Sequence, residues 1–472
     1  MEFVLEDWER FRTVDGLSSK AGIPRGKIAA LVAKELMDNA LDASAEGLCR
    51  IEPIGIDGFI IMDDGPGFDP ARVADLFSIG RPLKSTKHLR LPTRGALGNG
   101  LRVVAGAVLA TGGSLRVETC GHTTKLTPQD DGTTSTEVIG NQDRRGTLIE
   151  VHLGPDAGPI DLQWAKLALQ LSSGNQKHYK GKTSPWWYNS RDFYELCRSA
   201  KGENLRDLIS EFEGCSGKVG QITEGFKGKQ TIELALDDAK TLLDRMRAAS
   251  EPVKPERLGC CGDITESLQC GDIAEELSFI SNYVKVLGTF PIVSGNETAT
   301  IPYVIEAWTD VAEEQDAAIY VNVNRTPITG EVKAYHNKAE LILLGCGLEH
   351  SLEVGRRPPI VVLNIITPFM PITSDGKSPD LQYFLWDIKT AIDKSIKKAR
   401  RNAPKNHPRS QKEIVIEMIP QAAKKMGGGH RFRLRQLYYA IRPSVNTELN
   451  IELKYPTFTA IIKRRLLPGL KR

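Results

Sequence analysis

The spacing of apolar residues changes period several times along the chain, and each change marks an element. From near Lys27, the apolar residues Ile28, Leu31, Val32, Leu36 and Leu41 recur at helical intervals and predict a helix. Phe59-Ile60-Ile61-Met62 is a short apolar run of strand type, and residues 101–109 predict a second helix. After Gly112-Gly113 the pattern turns strand-like, over residues 114–119, 123–127, 135–139 and 148–153. A helix pair followed by a sheet gives a two-layer α/β sandwich. Helical periodicity returns at 162–171, 205–212 and 234–246, between polar and Gly-bearing stretches. Strand-like runs then occupy 286–293, 299–309, 317–323 and 359–366. One helix is expected around 332–344 and another from Leu381 into Lys398. A last helical stretch, 411–426, breaks at Gly427-Gly428-Gly429.

Three short motifs placed on this pattern carry candidate chemistry. Glu35 and Asn39, within Lys34-Glu35-Leu36-Met37-Asp38-Asn39-Ala40-Leu41-Asp42-Ala43, are four apart and project from one helix face. A carboxylate there can orient a water, and an amide oxygen one turn away can ligate magnesium whose other ligands come from phosphates and water. Asp63-Asp64-Gly65-Pro66-Gly67-Phe68 follows the strand 59–62 directly. Its glycines let backbone approach a flat ligand while Asp63 accepts a hydrogen bond from it, though such a sequence also makes an ordinary turn. Arg94-Gly95-Ala96-Leu97-Gly98-Asn99-Gly100-Leu101-Arg102 sets glycines just before an apolar helix, a ready phosphate site. Between the last two lies Arg81-Pro82-Leu83-Lys84-Ser85-Thr86-Lys87-His88, a basic segment suited to a lid over phosphates or to a solvated loop. A dinucleotide fold is a poor rival, because no acidic residue follows a strand–GxGxxG–helix unit at the required distance.

Composition sets bounds on this reading. The 472 residues suit about two to four domains, and 40% hydrophobic with 26% charged residues is globular usage. No apolar stretch is long enough to cross a bilayer and the acidic start has no signal-peptide pattern, so no membrane role and a cytoplasmic location are expected. The eight cysteines lack paired CxxC spacing, which favours reduced thiols; Cys260, Cys261 and Cys270 leave a metal site as the alternative. The net charge of +3 hides an excess of Lys and Arg after Lys389, which points to a polyanion near that end.

Together the three motifs resemble the Bergerat ATP-binding fold shared by gyrase-type topoisomerases, MutL, ninety-kilodalton heat-shock chaperones and histidine kinases. The resemblance covers roughly the first third of the chain. It implies ATP and Mg2+ as ligands, Glu35 as general base and Asn39 as magnesium ligand. It further implies that Asp63 holds the adenine amine, Gly65 and Gly67 shape the adenine pocket, and Gly95, Gly98 and Gly100 end the ATP lid. Lys84 and Asn99 join the nucleotide-contacting set, and Thr147, after Gly146, matches the late Thr that supports the adenine-binding Asp.

Two later stretches extend the resemblance. Asn324-Arg325-Thr326-Pro327 resembles the Asn-Arg-x-Pro turn in the transducer of topoisomerase VI B subunits. Pro371-Ile372-Thr373-Ser374-Asp375-Gly376-Lys377 resembles their switch loop, which implies that Lys377 reaches the γ-phosphate. Near the C-terminus, Arg431-Phe432-Arg433-Leu434-Arg435-Gln436-Leu437-Tyr438-Tyr439-Ala440-Ile441-Arg442 places basic residues around a Tyr pair. They suit DNA phosphate contacts, or a helix whose Tyr residues pack in a core. The stretch resembles the Arg-x-Leu-Tyr-Tyr motif of topoisomerase VI A subunits. That implies Tyr439 as DNA nucleophile, with Arg431, Arg433, Arg435, Tyr438 and Arg442 on the DNA. An ATPase, a transducer and an A-type motif in one chain resemble the fused type IIB enzymes called topoisomerase VIII.

The fold class expected is α+β multidomain. Its parts are a Bergerat (GHKL) sandwich at 1–160, a helical middle segment of unknown role at 161–283, a transducer of ribosomal S5-like βαβ type at 284–400, a basic linker at 401–410 and a partial winged helix at 411–472. In the middle segment, Trp186-Trp187-Tyr188 with Phe193 and Tyr194 could stack on bases or form a core block. No acidic cluster follows Tyr439 in the sequence, so the Toprim domain that the resemblance implies is expected either from another chain or from a segment lost by truncation. Expected partners are double-stranded DNA, a second copy joined through the ATPase domain and, in the first case, a Toprim-bearing chain. The rival reading is a non-cleaving GHKL ATPase, acting as a DNA clamp or as a MutL-like or chaperone-like protein-remodelling factor.

Overall fold

The structure, a computed structural model, describes residues 6–44, 48–81, 88–95, 98–141, 145–173, 176–200, 202–264, 281–311, 316–354, 358–374, 376, 378–402, 411–427, 433–449 and 452–466. The chain divides into two compact units, Met1–Arg401 and Asn402–Arg472.

The first unit begins with α1 (Val14–Ala21), α2 (Ile28–Ala43), the short α3 (Val73–Leu76) and α4 (Gly100–Thr111). They accompany β1 (Arg50–Ile54), β2 (Gly58–Asp63), β3 (Ser114–Thr119), β4 (His122–Pro128), β5 (Thr134–Asn141) and β6 (Thr147–His152). These strands form one antiparallel sheet in the order β1-β2-β6-β3-β4-β5. Period-two alternation decides its faces. Leu115, Val117, Ile149 and Val151 share a core with Leu31, Val32 and Leu36 of α2 and Val104 and Val108 of α4. On the opposite side Arg116 bonds Glu118 and its cross-strand partner Glu150. Helix α4 ends at Gly112, whose φ of 69° supplies the left-handed cap.

The core of this sandwich continues past residue 160. Leu162 and the buried Ala165 and Ala168 of α5 (Gln163–Gln170) pack into it, against α2. The expected boundary at 160–161 therefore falls inside a packed layer.

The middle helices are α6 (Ser190–Ser199), α7 (Leu205–Ser210), α8 (Val219–Ile222) and α9 (Leu236–Ala249), flanked by a two-stranded ribbon of β7 (Lys177–His178) and β8 (Gly259–Cys260). Trp187, Tyr188 and Phe193 are buried in one core with Phe212, Leu242 and Met246, so the aromatic cluster packs rather than offering faces for stacking. That core is continuous with a second sheet, and the middle segment has no core of its own.

The second sheet runs β12-β11-β16-β10-β9. Its members are β9 (Ser281–Ser294), β10 (Glu297–Val311), β11 (Ala318–Val323), β12 (Thr326–Pro327) and β16 (Pro359–Ile366). Only β11 and β16 pair in parallel. Strand β16 is buried along its whole length, as its apolar run requires of a central strand. Helix α10 (Leu385–Asn402) follows, and Ile388, Ala391, Ile392 and Ile396 join the sheet's core.

One expected helix is replaced. Residues 332–344 form β13 (Lys333–Asn337) and β14 (Glu340–Gly345), which continue into β15 (Leu348–Glu353) as a three-stranded antiparallel sheet. Leu341 and Leu343 are buried and alternate with more exposed Ile342 and Leu344, a period of two. Lys338 turns the hairpin at φ 55°. The βαβ arrangement expected there is corrected accordingly.

The second unit holds α11 (Gln411–Gly427), α12 (Leu434–Leu449) and α13 (Tyr455–Leu466) around Ile414, Val415, Leu437, Ile441, Val445, Leu453 and Phe458.

Candidate functional site

Helix α2 presents its polar residues on one side because its other positions are occupied by the core. Glu35 and Asn39 are half-buried there. The start of α4 comes against them closely: a Cβ at Gly100 would lie 2.8 Å from Glu35 Oε2 and 3.5 Å from Asn39 Nδ2. The glycine-rich motif is thereby brought onto the Glu/Asn pair. Asn39 Nδ2 and Asn99 Oδ1 are both buried without a hydrogen-bond partner among the described residues. Two orphaned amide atoms beside a helix N-terminus form a place where a polar ligand supplies the missing partners. Gly95 and Gly98 take φ of 59° and 68°, so the chain entering α4 uses backbone conformations that side chains disfavour.

The second part of the site lies where three strands end. Asp63 on β2 pairs with Thr147 on β6, and Thr147 pairs with Thr119 on β3. Asp63 Oδ1 accepts from the Gly65 amide at 2.8 Å, and the Thr119 hydroxyl accepts from the Phe68 amide at 2.7 Å. Side chains are excluded at the glycines. A Cβ on Gly65 would sit 2.8 Å from the Ala43 carbonyl at the end of α2, and one on Gly67 2.7 Å from the Thr119 hydroxyl. Glu35, Asn39, Asp63, Gly65, Gly67, Asn99, Gly100 and Thr147 thus line adjoining parts of one sandwich, between α2, α4 and the strand ends.

A buried polar network beneath Glu35 was not assigned a role by the sequence reading. Lys34 Nζ donates to Asp38 Oδ2 at 2.9 Å and to Glu35 Oε1 at 3.1 Å. Burial disfavours the Lys34 charge, but the Asp38 and Glu35 carboxylates outweigh it and raise the ammonium's pKa above its ordinary value. Asp38 also accepts from the Thr326 hydroxyl at 2.6 Å, which reaches it from the second sheet. Arg94 closes the cluster, with ion-pair distances of 3.9 Å to Asp38 and 3.5 Å to Asp42. The available signal was the Lys34–Asp38 spacing of four on a helix whose neighbours are apolar.

A second buried carboxylate, Glu306 on β10, accepts from the amides of Cys261 and Gly262, the Tyr283 hydroxyl and Asn364 Nδ2. Cys261 is held in this packing, with its thiol against Asn364 Nδ2 at 3.3 Å. Among the described residues no group of three or more His, Cys, Asp or Glu side chains is placed to hold a metal ion. Cys270, of the cysteine triplet, lies outside the described residues, as do Lys84, Lys377 and Arg431. The Thr373 amide donates to the Ser378 carbonyl at 2.8 Å.

In the second unit the two tyrosines part company. Tyr438 is buried and its hydroxyl donates to the Leu453 carbonyl at 2.9 Å, a packing role in place of the expected DNA contact. Tyr439 is 59% exposed. Arg433 is exposed at the start of α12, Arg435 stacks over Tyr455, and Arg442 pairs with Glu452. Among the described residues, no helix is long and apolar enough to cross a membrane.

Comparison with known proteins bears on the first domain. Residues 27–156 match the family described as "Histidine kinase-, DNA gyrase B-, and HSP90-like ATPase". The matched segment holds Glu35, Asn39, Asp63, the glycine motif and Thr147, and it forms an antiparallel-sheet GHKL-type ATPase domain. No curated protein matches the sequence. Among solved structures, one titled "Crystal Structure of N terminal domain of a DNA repair protein" is similar over 82% of this chain and 98% of its own, with 13% identity and a TM-score of 0.37.

Proposed function

We propose that the chain is an ATP-driven DNA clamp of the type IIB topoisomerase kind, acting as a homodimer on double-stranded DNA. The observation that supports this most is the joining of an ATPase site to a second sheet through a part-buried hydrogen bond from Thr326 to Asp38. In this reading Glu35 is the general base that orients water, Asp63 with Thr147 receives the adenine, and the α4 N-terminus with Gly95, Gly98, Asn99 and Gly100 receives the phosphates. Lys84 and Lys377 close over the phosphates. Asn39, half-buried one turn from Glu35, would hold a magnesium ion through its amide oxygen, with phosphate oxygens and water as the remaining ligands, while its orphaned Nδ2 is a donor that suits a phosphate oxygen. Bound there, the ion would neutralise phosphate charge.

Tyr439, exposed on α12, is the proposed DNA nucleophile, with Arg431, Arg433, Arg435 and Arg442 providing positive charge. Cleavage would need the clustered carboxylates that a Toprim domain supplies to a metal. Hydrolysis by the full chain should rise on adding duplex DNA, and Glu35→Ala should abolish it while retaining nucleotide. A non-hydrolysable ATP analogue should increase crosslinked dimer. Turnover and dimer yield indifferent to DNA and nucleotide would refute the clamp and favour a protein-directed ATPase.

A further inference from the structure

The two-residue turn of the β11–β12 hairpin is bonded on several sides. Asn324 and Arg325 both lie in the left-handed region, at φ 50° and 68°, the primed geometry that matches strand twist. Neither is glycine, so the surroundings must hold them. The Asn324 amide group donates to the Thr367 carbonyl at 3.0 Å and the Thr93 carbonyl at 3.2 Å, and accepts from the Thr367 amide at 2.9 Å. The Arg325 amide donates to Asn364 Oδ1 at 3.0 Å, and its guanidinium to the Lys177 carbonyl at 3.0 Å. The residue after this pinned turn is Thr326, whose hydroxyl meets Asp38.

We infer that Thr326 is a positioning residue for ATP hydrolysis, setting the orientation of Glu35 through Asp38 and Lys34. The inference rests on the reading of Glu35 as general base. Two carboxylates compete for one ammonium: Asp38, with its side chain 4% exposed, and Glu35, at 21%. The more buried carboxylate has less water to fall back on and draws the ammonium harder. The Thr326 hydroxyl occupies the same Asp38 oxygen that accepts from Lys34. It satisfies part of that demand, which leaves Lys34 shared between the two carboxylates. Without the hydroxyl, Lys34 moves toward Asp38 and Glu35 loses the contact that fixes its carboxylate. The adenine pocket around Asp63 is formed by other residues and is unaffected. Seating of the second sheet therefore governs turnover more than affinity.

The test is steady-state hydrolysis and nucleotide binding by the full chain carrying Thr326→Val, Thr326→Ser and, separately, Glu35→Ala. Valine keeps the shape and removes the hydroxyl; serine keeps the hydroxyl. Thr326→Val should lower kcat roughly tenfold to a hundredfold, since misplacement of a reacting group costs about that much. Its nucleotide Kd should stay within about twofold of wild type, the pattern of a lost transition-state interaction. Thr326→Ser should restore most of the turnover. In an Asp38→Asn background Thr326→Val should have little further effect, because both act through one carboxylate. Full turnover in Thr326→Val, or equal impairment by Val and Ser, overturns the positioning role while an inactive Glu35→Ala leaves the general base in place. Turnover surviving Glu35→Ala removes the base and the inference with it.

Discussion

Gly100→Ala separates the chemistry of the site from its stability. Gly100 is the first residue of α4 and has no left-handed φ, so alanine suits its backbone. Replacing glycine by alanine in a helix favours folding by about 0.5–1 kcal/mol. The added Cβ, however, would stand 2.8 Å from Glu35 Oε2 and 3.6 Å from Glu35 Cβ. Ordinary contact begins at 3.4 Å, so the carboxylate oxygen must retreat by about 0.6 Å. Glu35 can turn away at its flexible end, which spares the fold but removes the carboxylate from its place. Displacement on that scale corresponds to a loss of roughly tenfold to a hundredfold in turnover, or about 1.4–2.7 kcal/mol in the barrier. A coupled ATPase assay should show kcat falling by that factor, while thermal unfolding gives a Tm equal to or above wild type. Wild-type turnover would refute the close approach of α4 to Glu35. A lowered Tm that tracked the lost activity would refute the separation.

Asp63→Ala should lose nucleotide binding in a fluorescent-nucleotide titration, because it removes the carboxylate at the strand ends; unchanged affinity would sink the adenine assignment. Tyr438→Phe should destabilise the second unit by about 1–2 kcal/mol in urea unfolding, leaving the Leu453 carbonyl without its donor. Tyr439→Phe should change stability by less than about 0.5 kcal/mol. Burial pushes the thiols of Cys49 and Cys215 up to about 11 and Cys197 up to about 12. A thiol reagent near roughly pH 8.5 should therefore label exposed Cys120 in the native protein, and these three only after unfolding. Rapid native labelling of Cys197 would contradict the packing of α6.

Most elements were legible because their periods are clean. Residues 114–119 and 359–366 form strands over the spans expected, and the periodic run from Ile28 forms α2. The helix expected at 332–344 failed because Leu341, Ile342, Leu343 and Leu344 fit either period, and the turn at Lys338 was not recognised. Strand β1, Arg50-Ile51-Glu52-Pro53-Ile54, is invisible by composition; it is an edge strand with mostly exposed side chains, and Pro53 is tolerated there. In the candidate site, residue types at short spacing announced Glu35, Asn39 and the glycines. The Thr326–Asp38 bond could not be read, because 288 positions separate its partners and only the folded second sheet brings them together.

That bond also bounds how strongly the ATP site and the second sheet can influence one another. A hydrogen bond from a hydroxyl to a carboxylate is worth about 1.5–3 kcal/mol. Asp38 is buried, and besides the hydroxyl it has Lys34, which Glu35 also claims, and Arg94 at the longer distance of 3.9 Å. The value lies within the roughly 1–3 kcal/mol typical of coupling between distinct sites, so one seated or unseated contact suffices to bias hydrolysis tenfold or more. Coupling in binding free energy is reciprocal. Because loss of the Thr326 hydroxyl is expected to leave nucleotide affinity nearly unchanged, bound nucleotide leaves the seating of the hairpin nearly unchanged as well, and a change imposed on the hairpin is felt in turnover. Because that hairpin is tied to Thr93, just before Gly95, and to β16 through Asn364, the change reaches the glycine-rich entry to α4 and the centre of the second sheet together.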